Sequence, residues 1–525
     1  MRDEVRILRS RTFPRPHFPG ATMATAQTSD TSPPPYRQRS GIVLTALLGC
    51  QLMLVLDVTV VNIALPHIKS SLGFSADNLA WVLNAYTVVF GGLLLLGGRA
   101  GDILGRRAVF MAGVALFGVA SLVGGLAPDS GWLLGARAAQ GLGAALASPS
   151  ALALISTSFA EGPERTRALG LWGAVSGSAS TLGLIVGGVL TDVLSWRWVL
   201  FINVPIAVLV LVLTPRFIRE ADRQPGRFDI AGAVTSTVGM GALVYGFIHA
   251  SSDGWRDSIT LGSIALGVVS LLLFVAVESR ARQPITPLHL FRDADRVRAY
   301  LILLLIAGSM LAMFFFLAQF LQEVLKFGPL KAGLAFLPLS LVLILAAQQT
   351  ASALPKIGAK APTAIGAAVT VAGLVWLGFL DENSSYLTGV LGPLVLFGIG
   401  AGLIFVPATV GAAARVASDE SGAASGMLNT MSQIGGSLGL AALVTVAGTA
   451  ARHEAEHPVA GLSPARQAEH VLTYGFTRAF LVAAALAVVI LLISLTARRR
   501  PAPDAGTPAE TGETAEAAEA KAAEA

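Results

Sequence analysis

Residues 52–66 read LMLVLDVTVVNIALP, an unbroken apolar run with one carboxylate, Asp57, in its middle. An apolar segment of about 20 residues is long enough to cross a bilayer as a helix. Segments of that kind recur from near residue 41 to near residue 497. Over the whole chain of 525 residues, 54% are hydrophobic and 13% charged, and the mean hydropathy is +0.68. The reading is an all-α polytopic membrane protein. An acid inside a spanning helix is costly unless it is paired or faces a cavity, so Asp57 is a functional candidate from the outset.

Working outward from this run, about fourteen spans are predicted, centred near residues 53, 88, 117, 144, 180, 206, 240, 268, 309, 342, 371, 398, 435 and 485. Alternate connections carry most of the arginines, among them Arg106, Arg107, Arg165, Arg167, Arg219, Arg280 and Arg298, while the other set is poor in them. Lys/Arg-rich short loops stay in the cytoplasm. Both termini are therefore expected in the cytoplasm of a multi-pass plasma-membrane protein. The formal charge of +5 reflects this topology and not a nucleic-acid surface. The first 40 residues lack the apolar core of a cleavable signal peptide, so the first span is expected to act as the targeting signal. Met23 opens a plausible alternative start, and the acidic, low-complexity end has too little apolar surface to fold alone.

Several chemistries find little in the sequence to carry them. The phosphate-cradling pattern Gly-x-x-x-x-Gly-Lys-Ser/Thr is absent, so energy must come from something other than ATP bound to such a loop. Gly-x-Ser-x-Gly occurs as GGSLG, residues 435–439, inside an apolar span without the strand-to-helix turn of a nucleophile elbow, and His-Glu-x-x-His occurs as HEAEH, residues 453–457, running into Pro458 where a helix would end, so neither is read as an enzyme site. The single cysteine, Cys50, lies in the first apolar run without a partner for a disulfide or metal cluster. No cofactor or metal is expected.

The connection after the second span reads GGRAGDILGRRAVF, residues 97–110. Membrane anchoring explains its arginines but not Asp102 set just before Gly105, Arg106 and Arg107. This pattern, from Gly98 to Arg107, resembles the signature loop of the major facilitator superfamily, where it locks the cytoplasmic face in the outward-open state. PKIGAK, residues 355–360, sits in the equivalent place after the tenth span, with Pro355 where the acid would be. Further segments are similar to the fourteen-span drug:proton antiporters of that superfamily: LDVTVVNIALP in the first span, RAAQGLGAA in the fourth, WRWVLFINVPIAV at the sixth, LQEVLKFGPLKAGLAFLP across the ninth and tenth, and GAASGMLNTMSQIGGSLG in the thirteenth.

The resemblance implies two six-helix bundles, residues 41–216 and 298–497, joined by a linker of residues 217–297 that holds spans seven and eight. Disordered tails are expected at residues 1–40 and 498–525. It also implies a monomer that moves a small-molecule substrate by rocking about a central cavity. In the fifth span, the antiporter motif Gly-Pro-x-x-Gly-Gly becomes GLIVGG, in which Gly183, Gly187 and Gly188 are kept and Leu184 replaces proline. Read without the family, Gly173, Gly177, Thr181, Leu184 and Gly188 make a mostly small stripe suited to close helix packing.

Asp57 sits roughly 13 Å below the outer end of the first span, at about 1.5 Å per residue. Arg137 in the fourth span is comparably deep. Pairing would lower the cost of burying either charge. Desolvation and a nearby guanidinium act oppositely on a carboxylate's charge, so a change of conformation can change whether it holds a proton. A permanent latch is the plainer alternative. Candidate cavity groups are Asn62, Asn84, Tyr86, Gln140, Gln319, Gln322, Asn429 and Gln433, whose polar groups could equally join helices. Pro66 either ends the first helix or leaves the carbonyl of Asn62 without its donor. The expected function is proton-coupled export of a hydrophobic or cationic drug or antibiotic-like metabolite. A uniporter or importer of an endogenous solute, and a non-transporting sensor or scaffold, are the alternatives.

Overall fold

The computed structural model describes residues 36–159, 162–220, 223, 228–281, 286, 288–414 and 421–496. Residues 1–35 with Met23, and the acidic end from residue 497, lie outside them. Residues 36–40, read above as part of the polar tail, are already helical, because the first helix begins at Tyr36.

Fourteen helices among the described residues are long and apolar enough to span a bilayer. They are α1 (Ser40–Leu72), α2 (Asn78–Leu104), α3 (Arg106–Gly125), α4 (Ser130–Ser158), α5 (Pro163–Val193), α6 (Trp198–Phe217) and α7 (Ile230–Asp253). The others are α8 (Ser258–Glu278), α9 (Ala294–Val324), α10 (Pro329–Ile357), α11 (Lys360–Leu377), α12 (Tyr386–Ala413), α13 (Gly426–Ala455) and α14 (Pro464–Thr496). Every centre read from the sequence falls inside one of these ranges.

Local chemistry sets the helix ends. Asp129 caps α4 by accepting from the Trp132 N–H, and Asp257 caps α8 by accepting from the Ile259 and Thr260 N–H groups. Gly105 and Gly358 adopt positive φ (112° and 70°) where α2 turns into α3 and α10 into α11. These turns occupy corresponding places in the two halves. Pro66 does not end α1, which continues to Leu72.

Spans α1–α6 pack on one another, as do α9–α14, giving two six-helix bundles. Small residues permit close crossings where no hydrophobic drive separates helix from lipid. A Cβ on Gly113 of α3 would lie 2.7 Å from the Gly143 carbonyl of α4, and one on Gly308 of α9 would lie 2.7 Å from the Gly435 carbonyl of α13. Helices α7 and α8 pair with each other, and α7 leans on α2 and α13. α8 presents Leu261, Leu266, Val269 and Leu272 outward, each more than half exposed, as a lipid-facing helix should.

Besides the contact of α2 with α13, the bundles meet where α1 and α5 face α9 and α10, at one end of the molecule. A buried apolar cluster runs from Val60, Ile63 and Leu184 of the first bundle into Phe320 and Phe336 of the second. A separate cluster around Phe110, Leu154, Phe159 and Ile218 belongs to the first bundle. At the end that bears Lys69, α5 and α10 are pressed together, so that a Cβ on Gly188 would lie 2.8 Å from the Pro329 carbonyl. Further along α5, towards the end that bears Asp102, Gly177 and Gly173 meet nothing within 4 Å. The seam between α5 and α10 is therefore closed at the Lys69 end and parted at the Asp102 end.

Candidate functional site

Asp57 and Arg137 meet. Both side chains are sealed from solvent in the first bundle, and Arg137 Nη1 donates to Asp57 Oδ2. The pair is embedded in a polar network that draws on five helices, α1 to α4 and α6. Gln140 Nε2 donates to Asp57 Oδ1 (3.0 Å) and to Ser121 Oγ (2.8 Å), and Asn203 Nδ2 donates to Asp57 Oδ1 (2.8 Å). Arg137 also gives Nη1–H to Gln140 Oε1 (2.8 Å) and Nε–H to the Val82 carbonyl (2.9 Å). Its guanidinium lies 4.7 Å from the centre of the Tyr86 ring, a cation–π contact strengthened by burial.

Helical spacing explains part of this arrangement. Arg137 and Gln140 are three residues apart on α4 and so share a face. Asp57 of α1 and Asn203 of α6 reach that face from the other side. A buried ion pair is tolerable when its remaining hydrogen-bonding groups are satisfied. Here three donors converge on one carboxylate. Tyr86 Oη, Arg137 Nη2 and Asn203 Oδ1 are buried without a hydrogen-bond partner among the described residues.

The sequence reading named Asp57, Arg137, Tyr86 and Gln140 but missed Asn203 and Ser121. Asn203 could have been found as a lone amide inside an otherwise apolar sixth span. A serine bonded back to its own helix, as Ser121 is to Phe117, leaves no comparable signal.

The other polar candidates lie apart from this network. Asn84 is buried and accepts at Oδ1 from Ser437 Oγ (3.0 Å) on α13. Gln433 faces Gly91 of α2, so both contacts join the two bundles. Gln322 Nε2 donates to the Ile63 carbonyl of α1 (3.0 Å). Gln319 bonds back to Phe315 within its own helix. Asn62 is buried on α1 and Asn429 is exposed on α13.

At the far end of the first bundle, Asp102 Oδ1 accepts from Arg106 Nε (3.1 Å) and Nη2 (2.9 Å). Arg107 turns to Glu220, beyond α6, whose carboxylate accepts from the backbone N–H groups of Arg107 (2.9 Å) and Ala108 (3.2 Å). Glu220 thus caps α3, a role the sequence reading overlooked because it counted only the arginines of that connection. Gly98 packs on Pro149 of α4. The bonds described for this loop stay within the first bundle and the segment that directly follows α6. On α5, Gly183 and Gly187 lie against Thr59 and Val60 of α1, and Leu184 is buried with its carbonyl against Gly333 of α10.

Comparison with known proteins agrees with this architecture. Residues 47–440 match the Major Facilitator Superfamily. The chain is 42% identical over 461 residues to the puromycin resistance protein pur8 of Streptomyces alboniger, covering 86% of this chain and 89% of that one. It is 39% identical over 473 residues to the cephamycin export protein CmcT of Amycolatopsis lactamdurans, covering 89% and 95%. A solved bacterial homologue of the human lysosomal transporter Spinster, inward-facing and unoccupied, aligns with a TM-score of 0.61 at 17% identity, over 89% of this chain and 100% of that one. The last likeness bears on the fold alone.

Proposed function

The chain belongs to the Major Facilitator Superfamily, and from that membership we propose that it exports drug- or antibiotic-like small molecules in exchange for protons. The relatives named for puromycin resistance and cephamycin export support the substrate class. The observation that carries proton coupling is the sealed Asp57 carboxylate, which receives donors from two helices other than its own.

A proton on Asp57 turns one acceptor oxygen into an O–H donor. Loss of the negative charge and of acceptor capacity weakens the bonds from Arg137, Gln140 and Asn203, which loosens the tie between α1, α4 and α6. Loss of the proton restores it. Substrate occupies the space between the bundles, and rocking exposes that space to one side at a time. The arginine-rich connections assign the Asp102 end to the cytoplasm and the Lys69 end to the outside. The parted seam is on this reading the inward-open form of a monomeric plasma-membrane transporter with both termini in the cytoplasm.

A second reading has one observation in its favour. Both Asp57 and Arg137 are fully buried, as a permanent latch would be. Inverted vesicles energised to an acidic lumen separate the two readings. Addition of puromycin or a cephamycin should release protons from the lumen if the protein is an antiporter. Substrate movement without proton release would leave the pair a latch, and no movement of either would favour a scaffold.

A further inference from the structure

We propose that Lys69 and Glu323 form a clasp that holds the two bundles together at the Lys69 end, with Gln322 sealing the seam beside it. Lys69 belongs to α1 and Glu323 to α9, so the pair joins one bundle to the other. Lys69 Nζ lies 3.0 and 3.2 Å from the two carboxylate oxygens of Glu323, and the side chains are 24% and 20% exposed. The neighbouring Gln322 donates to the Ile63 carbonyl of the same helix α1. These two contacts flank Pro66, where α1 lacks one backbone donor.

The acidic partner sits on a built support. Residues 320–324 close α9 as a π-turn, a form that concentrates at functional positions in helices. The wide turn presents two consecutive side chains, Gln322 and Glu323, to one facing helix. Lys326 follows with φ of 57°, a backbone conformation uncommon for a residue with a side chain. Its ammonium donates to the Glu323 carbonyl and pairs with Glu469 of α14 at 2.8 Å, so the clasp acid is fastened to the second bundle. At the Asp102 end the bonds described for Asp102, Arg106 and Arg107 reach only the first bundle and the segment that directly follows α6.

A part-exposed ion pair is a weak bond, worth up to about a fivefold change in an equilibrium. That strength suits a contact that must break in every cycle. Gln322, read from the sequence as a cavity group, is on this account a seal. The clasp rests on the alternating access of the proposed function, but not on any particular substrate or on protons.

The test uses spin-label distances in lipid nanodiscs, with neither substrate nor gradient present, in a Cys50→Ala background. Labels at Ser71→Cys and Ala455→Cys report the Lys69 end, and labels at Ser158→Cys and Ile357→Cys report the Asp102 end. Lys69→Gln and Glu323→Gln should each raise the long-distance fraction at the Lys69 end about two- to fivefold, with shortening at the Asp102 end. The charge swap Lys69→Glu with Glu323→Lys should return both distributions towards the parent. Single variants that leave both distributions unchanged would overturn the clasp. So would a swap that stays as far from the parent as the worse single. A protein that exported nothing would still give these distances, so failure of the clasp and failure of the export reading are separable.

Discussion

Asp57 holds donors from α4 and α6 at once, and Asn203 is the residue through which α6 takes part. Asn203→Leu keeps similar bulk but removes one donor from a buried carboxylate. A lost hydrogen bond to a charged group costs about 1–3 kcal/mol. The variant should unfold at lower temperature in detergent and show an altered pH dependence of export. An unchanged melting temperature would mean that the bond contributes nothing. Gly105 offers a second test, because its φ of 112° and the Glu220 carboxylate 2.9 Å from a built Cβ both oppose a side chain. Gly105→Ala should cost about 1–3 kcal/mol of backbone strain and reduce export at equal abundance. Adding Glu220→Ala should not restore it, since the strain remains after the collision is relieved. Full recovery in the double variant would assign the whole effect to the collision. At this scale the meeting of Asp57 with Arg137 was legible, because two lone charges at similar depth in apolar spans have strong reason to pair. Asn203, Ser121 and Glu220 were not read, because their roles depend on partners on other elements, Asp57 at 146 residues from Asn203, Gln140 at 19 from Ser121 and Arg107 at 113 from Glu220, with no charge pattern or local spacing to mark them.

Among the elements, α5 divides in two. The small stripe read from its sequence packs closely at Gly188, while Gly173 and Gly177 face open space. Periodicity marks a helix face but not how far along the helix another chain follows it. Where α5 and α10 do touch, a Cβ on Gly333 would strike the Leu184 carbonyl. Gly333→Ala should therefore wedge the closed end apart, raising labelling of a cysteine at Leu72 by an impermeant reagent applied from outside. No increase would mean that the helices slide to absorb the methyl group. The hairpin of α7 and α8 supplies a pH-dependent element. Asp257 caps α8, and its carboxyl is held below the usual carboxylate range first by the Thr260 N–H, then by the Ile259 N–H and His249. A lowered value in the folded state means the cap stabilises fully above the unfolded value and is lost as pH falls through the folded one. Hydrogen exchange at the first turn of α8 should quicken as pH falls through the acidic range, after correction for intrinsic rates, and Asp257→Asn should remove that dependence. The same acid dependence in the asparagine variant would assign it to another group.

For the molecule as a whole, span count and fold class were the most legible features. Hydrocarbon thickness imposes a fixed apolar length, which composition alone reveals. Which end of the seam is closed was not legible, because it depends on contacts between bundles far apart in sequence, such as Lys69 with Glu323 and Asn84 with Ser437. Proton coupling is proposed to run through the Asp57 carboxylate. The most direct test compares the parent with Asp57→Asn in inverted reconstituted vesicles of equal protein content, measuring puromycin uptake with an imposed pH gradient, acidic inside, and gradient-free exchange. Asparagine keeps the size and much of the hydrogen bonding but cannot exchange a proton. Uphill uptake should be abolished in Asp57→Asn while some gradient-free exchange survives. Uphill uptake by Asp57→Asn at the parent rate would rule out Asp57 as the proton-coupling site.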